Sequence, residues 1–383
     1  MPNTPASHDR SSALDRIFDA ISGGSTLTNR LGKLHDRLLE TVPCVDRVAC
    51  ALYDAKDDVL RTFINSTRSG EAITGYEFRL SDSRSLTQLA QTGEFRVLDD
   101  IPKLITPGTR HSQWLLEQGY RSSFTVPLYH HGQFIGLVFY DSMQAAAFTE
   151  IAQRDLVLFS NLINMAISSE LSAVHSIISS ARIARDFANM RDFETGEHLE
   201  RMARFARLIA KAVAPAWGLT DEFIEHIGMF APLHDIGKIG IPDRVLLKAG
   251  RLDADERTIM QTHVEKGVAI IEKILGDFGL YQLPQASILL NIVRCHHEYL
   301  DGSGYPAGLR GEDVPIEARI VTVADIFDAL TCIRPYKKPW EQQDALKELQ
   351  RMTAAGQLDP DCVTALMNNI DELAEINRRF HEA

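Results

Sequence analysis

Between Ile151 and Arg191 no proline or glycine interrupts the chain. Across that stretch Leu156, Phe159, Ile163, Ile167, Leu171, Val174, Ile178 and Ala181 return at three- or four-residue steps. This spacing places side chains on one face of an α-helix, so the pattern predicts a long helix over about 151–190. Ahead of it the period changes. "RVACALYD" and "VLRTFIN" are strand-like runs separated by the charged turn "AKDD", and "SSFTVPLYHHGQFIGLVFYDS" reads as two further strands joined around His131-Gly132. Strands and turns at this density predict an antiparallel sheet with helices against it. A helical pattern from about Leu14 to Leu39, broken at Gly23-Gly24, precedes the sheet. After about residue 176 the pattern is helical throughout, with short Gly/Pro loops.

The expected architecture therefore has two domains. Residues 14–170 form an α+β domain, an antiparallel sheet with flanking helices. The 151–190 helix joins it to an all-α bundle over 176–383, and the polar residues 1–13 form a disordered tail. A long exposed apolar stripe on the connecting helix pairs most readily with its own copy, which predicts a homodimer.

Composition narrows the classes of function. The chain has 383 residues, 45% of them hydrophobic and 24% charged, as in ordinary globular domains. No uninterrupted apolar run approaches the roughly 18–20 residues of a membrane span, and "MPNTPASHDRSS" lacks a signal pattern. A cytoplasmic protein with no membrane span is expected. The net charge of −12 argues against a surface for polymeric nucleic acid. It leaves room for a small phosphate ligand held by local cations. Cys44, Cys50, Cys295, Cys332 and Cys362 are dispersed without a CxxC pair, which predicts buried thiols rather than a disulfide framework.

The chemistry-bearing residues gather in the helical half. "ETGEH" sets Glu194 and His198 four residues apart. "HDIGK" supplies His234, Asp235 and Lys238, "MQTHVEKG" supplies His263, and "HHEYLDGSGYP" supplies His296 and His297 before a glycine-rich turn. "VADIFDAL" puts Asp325 in an apolar helix, with Asp328 three residues on. Singly, most of these are ordinary surface or hydrogen-bonded core residues. Together they form a nitrogen and oxygen donor set without thiolate, the profile of iron, manganese or zinc in a hydrolytic or oxygen-handling site. Eight candidate ligands exceed the needs of one ion, so two or three are expected.

His234-Asp235, with His198 upstream and Asp325 downstream, resembles the HD metal-dependent phosphohydrolase superfamily. "HDIGKIGIPD", "HHEYLDGSGYP" and "RIVTVADIFDALTCIRPYK", in that order, resemble the HD-GYP family more narrowly, over about residues 180–370. The resemblance implies a helical phosphodiesterase that hydrolyses cyclic di-GMP to pGpG and, in some members, GMP. It implies His198, His234, Asp235, His263, His296, His297 and Asp325 as metal ligands, with Glu194 associated with a third ion. Iron is the family's usual metal, with manganese supporting activity in some members.

Two metals a few ångströms apart suit a phosphodiester, because they polarise the phosphoryl oxygen, activate water and neutralise developing charge. Asp235 can bridge them. Lys238 is implied as a catalytic group that stabilises transition-state charge or protonates the leaving oxygen. Arg334 and Lys337 of "RPYK" are implied phosphate contacts, with Asp328 nearby as an orienter. Tyr305 is implied against guanine, within a loop shaped by Gly304 and Pro306. That loop also serves as a docking surface for protein partners in one reading. "EYLDG" stands where the family more usually has "ERWDG", and "GQLDPDCV" is a weakened form of its closing motif.

Residues 14–170 resemble a GAF domain, through "GYRSSFTVPLYHHGQFIGLVFYDS" and "TGEFRVLDDI". The resemblance implies a regulatory or dimerising role, with an unknown small ligand or none. His111, His130 and His131 are read as surface residues. Two other readings stand beside the phosphodiesterase: a catalytically silent cyclic di-GMP receptor signalling through the GYP loop, and an HD-type di-iron oxygenase.

Overall fold

The computed structural model describes residues 25–106, 108–188, 196–332 and 339–380; of residues 185–188 only the helical backbone is described. The expected tail, the break at Gly23-Gly24, and the candidate residues Glu194, Arg334 and Lys337 lie outside the described residues. Two compact units are present. One reaches Ser172 and takes in Thr220–Glu222, and the other begins at Ala173.

The first unit is built on a six-stranded, wholly antiparallel sheet. Its strands are β1 (Arg47–Asp54), β2 (Val59–Thr67), β3 (Glu77–Arg79), β4 (Arg96–Leu98), β5 (Ser122–His130) and β6 (Gln133–Ser142), in the spatial order β3-β2-β1-β6-β5-β4. The β5–β6 hairpin turns at His131 and Gly132, both with positive φ, +47° and +77°. Two such residues in succession match the right-handed twist of the flanking strands.

Alternation along the strands sorts the two faces. Val48 and Cys50 of β1 and Val138 and Tyr140 of β6 join a core with helix α1 (Leu27–Leu38), which contributes Leu27, Leu31, Leu34 and Leu38. Arg47, Ala49 and Ala51, with Phe139, point the other way, into a cavity. The shorter helices α2 (Arg84–Thr92), α3 (Ile101–Leu104) and α4 (Arg110–Glu117) belong to this unit too. His111, expected at the surface, is instead a wall of that cavity. It stacks on Tyr76 and Trp114, each 5.9 Å away between ring centroids.

Helix α5 (Glu150–Ala188) is the long helix that the periodicity predicts. Its apolar stripe is not left exposed. Leu156, Ile163 and Ile167 fill the first core, and Val174, Ile177 and Ala181 fill the second. The exposed large apolar positions are instead Ile151, Leu158 and Met165, seven residues apart, and Ile183 further on. The stretch holds no uninterrupted apolar run of a membrane span's length, because Arg154, Asp155 and Glu170 interrupt it. Glu150–Ala184 is nonetheless long and apolar enough by length and composition alone, with a mean hydropathy of 1.3 over its most apolar window.

The second unit is helical: α6 (Gly196–Trp217), α7 (Asp221–Phe230), α8 (Asp243–Leu246), α9 (Ala254–Gln261), α10 (His263–Asp277), α11 (Gln285–Cys295), α12 (Ile316–Thr331), α13 (Gln342–Ala354), α14 (Pro360–Met367) and α15 (Ile370–Arg379). On α6, His198, Met202, Phe205, Ile209 and Val213 are buried at helical spacing. Helix α12 is buried on nearly every side, at Ala318, Ile320 to Ala324, Phe327 and Asp328, and so forms the axis of the bundle. Phe205 meets Phe327 edge to face at 5.2 Å, which fixes α6 against α12. Such a pair contributes about 0.5–1.5 kcal/mol beyond the burial of its area.

A 3₁₀ segment, Ile236–Gly240, lies against α10 at glycine distance. A β-carbon on Gly237 would overlap the His263 carbonyl and the backbone of Gly267. Backbone cannot withdraw as a flexible side chain does. Gly237→Ala is therefore expected to destabilise the helical unit by about 3 kcal/mol or more. Gly32→Ala, on α1 where nothing lies within 4 Å, should stabilise its unit by about 0.5–1 kcal/mol. Thermal unfolding of the two variants in parallel checks both signs.

Candidate metal centre

Three histidines stand at the ends of helical elements, and their Nδ1 atoms meet backbone carbonyls three or four residues earlier. His234 Nδ1 lies 2.8 Å from the Ala231 oxygen and His263 Nδ1 2.8 Å from the Met260 oxygen. His296 Nδ1 lies 3.1 and 3.2 Å from the oxygens of Ile292 and Val293. A carbonyl can only accept, so each Nδ1 carries a proton, and each ring in its neutral form presents a lone pair at Nε2. All three rings are buried.

Those Nε2 atoms converge on one carboxylate. Asp235 Oδ1 is 3.1 Å from His263 Nε2 and 3.7 Å from His296 Nε2, and its Oδ2 is 3.1 Å from His234 Nε2. His263 Nε2 and His296 Nε2 are 3.4 Å apart. His297 completes a group with Asp235, His263 and His296 in which one donor atom from each lies within 4.8 Å of all the others. Asp325, on α12, brings Oδ1 to 3.8 Å from His234 Nε2.

Lone pairs turned toward a carboxylate at these distances repel unless a cation lies among them. A cluster of imidazole nitrogens around carboxylate oxygens is the donor set of a borderline metal ion. Electrostatics agrees. Burial, above all, lowers the pKa of His296 and His297, which keeps both rings neutral and fit to donate a lone pair. For Asp235 burial opposes ionisation, but the Lys238 charge outweighs it and holds the carboxylate well below its ordinary range. Lys238 makes the nearest such contact, Nζ to Asp235 Oδ2 at 2.8 Å.

His198 approaches His234 with ring centroids 5.9 Å apart. Its Nδ1 donates to Asp328 Oδ2 at 2.6 Å, and Arg201 Nε donates to Asp328 Oδ1 at 2.6 Å. This corrects one expectation. Asp328 is not a substrate-side residue: it is 1% exposed and engaged in holding His198. It stands on α12 one turn after Asp325, with its carboxylate on His198 and Arg201 of α6. Burial would raise its pKa, but the His198 and Arg201 hydrogen bonds bring it down to about 2. Arg201 is a residue that the motifs do not single out. Its signal in the sequence is a charged residue on the apolar face of α6, three positions after His198. Arg201 also donates to the Phe380 carbonyl at 2.7 Å, which ties the end of α15 to this arrangement.

The glycine-rich loop is folded tightly against the cluster. Tyr305 lies tilted against His297 at 4.7 Å between ring centroids. The Tyr305 N–H donates to the His297 carbonyl at 3.1 Å, which closes the turn over the paired histidines. Glu298, 2% exposed, accepts from the N–H groups of Ala307 at 2.7 Å and Leu309 at 3.0 Å, clamping the far side of the loop. A β-carbon on Gly304 would overlap the His297 carbonyl, so only glycine lets the loop come this close. Pro306 follows within the same turn. Among the described site residues, these contacts bring His234, Asp235, Lys238, His263, His296, His297, Tyr305 and Asp325 into one cluster, with His198 beside His234 and Asp328 reached through His198.

Comparison with known proteins agrees with this description. Residues 31–167 match the GAF domain family and residues 182–362 match the HD domain family. The chain carries a GAF domain followed by an HD domain. It is 44% identical over 204 residues to the cyclic di-GMP phosphodiesterase response regulator RpfG of Xanthomonas campestris, covering 53% of this chain and 50% of that protein. It is 41% identical over 190 residues to a cyclic di-GMP phosphodiesterase of Thermotoga maritima, covering 49% and 48%. It is also 41% identical over 187 residues to a 3'3'-cGAMP-specific phosphodiesterase of Vibrio cholerae, covering 49% and 33%. The chain thus spans about half or less of the length of these relatives. The HD match carries divalent-metal binding with it, in keeping with the donor cluster.

The Asp328 contact generates a prediction. Asp328→Asn keeps the shape but removes the charge that orients the His198 ring, so metal affinity is expected to fall about 10–100-fold. Metal titration of the folded variant, with circular dichroism to verify the fold, measures it.

Proposed function

We propose that the chain is a metal-dependent phosphodiesterase that opens cyclic di-GMP to linear pGpG, with GMP as the product if the second ester is also cut. The observation that carries this reading is the convergence of proton-free imidazole nitrogens on one buried carboxylate. The names of the relatives supply the substrate class, a cyclic dinucleotide.

In this reading Glu194, His198, His234, Asp235, His263, His296, His297 and Asp325 hold two or three metal ions, iron first and manganese as the alternative. When bound, such ions supply Lewis acidity toward a phosphoryl oxygen and a water made nucleophilic at neutral pH. Lys238 keeps Asp235 ionised and offers an N–H to charge that develops on the phosphate or the leaving oxygen. Tyr305, set against His297, presents an aromatic face to a guanine base, and Gly304 and Pro306 shape the rim beneath it. Arg334 and Lys337 take the phosphates. Asp328 acts on the substrate only through His198.

The unit over 176–383 is then the catalytic one, and 14–170 regulates it or dimerises. The seven-residue recurrence of exposed Ile151, Leu158 and Met165 supports a homodimer. The GYP loop remains the candidate surface for a protein partner. The cytoplasm is the proposed site of action, and the net charge of −12 is consistent with no polymeric nucleic acid as partner. A silent receptor is disfavoured by the complete set of described ligands. A di-iron oxygenase is disfavoured by the basic pair in "RPYK".

The test is metal analysis of anaerobically purified protein, paired with chromatography of products from cyclic di-GMP and from 3'3'-cGAMP. Metal-replete protein is expected to yield pGpG, and His234→Ala or Asp235→Ala to yield none. Faster turnover of 3'3'-cGAMP would reassign the substrate. Tight nucleotide binding without product from metal-replete protein would sink the enzyme reading in favour of the receptor. His296→Ala or His297→Ala should lower metal content together with activity. Lys238→Ala should leave metal content intact while turnover falls by about 10²–10³-fold.

A further inference from the structure

The cavity in the GAF unit has a volume of about 460 Å³, within the range of small-molecule sites. Its walls are mainly apolar and aromatic, with Tyr76, Phe78, His111 and Phe139 among them. His111 is the hinge of this aromatic wall. It stacks on Tyr76 on one side and on Trp114 behind it, and it tilts against Phe139 at 5.8 Å. Burial, followed by the nearby Arg47 charge, brings its pKa down to about 4, so the ring is neutral near pH 7.

Charge inside the cavity does not balance. Two guanidiniums, Arg47 and Arg96, line it. Arg47 pairs with Asp141, its cross-strand neighbour between β1 and β6, and lies over the Trp114 ring at 4.7 Å. Asp141 also accepts from Ser123 at 2.8 Å. Among the described residues Arg96 has no carboxylate of its own. Its hydrogen bonds go to two neutral hydroxyls, Ser85 at 3.0 Å and Thr125 at 3.2 Å, and its buried Nε–H meets no acceptor. Asp82, the carboxylate among the lining residues, is exposed and makes no ion pair with Arg96. Two cations therefore share one buried anion. Arg96 is half-buried, and leaving its buried Nε–H without an acceptor costs stability; an apolar cavity with one spare guanidinium is a complement to a particular kind of molecule.

We propose that this cavity binds a small organic monoanion with a flat, largely apolar body, its anionic group on Arg96 and its ring against Tyr76, His111 and Phe139. Arg96 supplies a planar fork suited to a carboxylate. The aromatic walls select the flat body.

The matched probes are 2-naphthoate and 2-naphthamide, which share a ring system and differ in charge. Binding to the full chain is measured by calorimetry. Naphthoate is expected to bind at least about tenfold more tightly than naphthamide. Arg96→Gln should bring the two affinities together, and Arg96→Lys should keep part of the preference. Ala49→Leu, which fills the cavity and leaves the charges alone, should lose both probes and gives a second, independent variant. Equal affinity for the two probes, a preference that survives Arg96→Gln, undiminished binding to Ala49→Leu, or no binding of naphthoate at millimolar concentration would each overturn the proposal.

Discussion

The helical unit is organised around a repulsion. Asp235 keeps its charge while buried, and it faces imidazole nitrogens that have no proton to give it. Among the described residues only Lys238 offers it a formal cation at hydrogen-bonding distance. Everything that surrounds this point serves to hold the arrangement together. The glycine-to-glycine contact of Gly237 with Gly267 presses the Asp235 segment onto α10. The Phe205–Phe327 contact sets α6 against α12. The Asp328–Arg201 pair stops His198 from turning away. Rigid support is what allows mutually repelling donors to stay poised for a cation.

The order of the motifs makes the centre legible in the sequence, because metal-ligand chemistry needs particular side chains and tolerates few replacements. His234-Asp235, His263, His296-His297 and Asp325 stand out without any knowledge of the fold. What does not stand out is which of two aspartates on α12 faces the cluster. Asp325 and Asp328 are three residues apart, and both project from a helix buried on nearly every side. Periodicity gives no direction where there is no exposed face to set it against. Arg201 is hidden for a related reason: an arginine in a helical pattern is ordinarily solvated, and only packing reveals that this one is 2% exposed.

The sheet and the long helix are equally readable, yet their surfaces are not. The apolar residues of α5 look like a free stripe because sequence cannot tell a face that packs within its own chain from one awaiting another. Leu156, Ile163 and Ile167 are consumed by the sheet side, and Val174, Ile177 and Ala181 by the helical core. His111 departs in the opposite sense. A histidine in a polar loop reads as solvated, but a turn of helix places it between Tyr76 and Trp114. Neither property is encoded locally, since both depend on strands brought in from distant parts of the chain.

The Nδ1 hydrogen bonds have a consequence for how the fold tolerates its own chemistry. Functional residues commonly sit at a cost to stability, as strained or desolvated groups that a neutral substitute would relieve. Here the proton that fixes the tautomer of His234, His263 or His296 also goes to a carbonyl in a terminal helical turn, where for Ala231 and Ile292 it is a second bond beside one from a backbone N–H. The same bond reinforces a helix end and prepares a ligand. Selection for a sturdier fold and selection for a better binding centre therefore pull these positions in one direction, and drift away from histidine there is penalised twice.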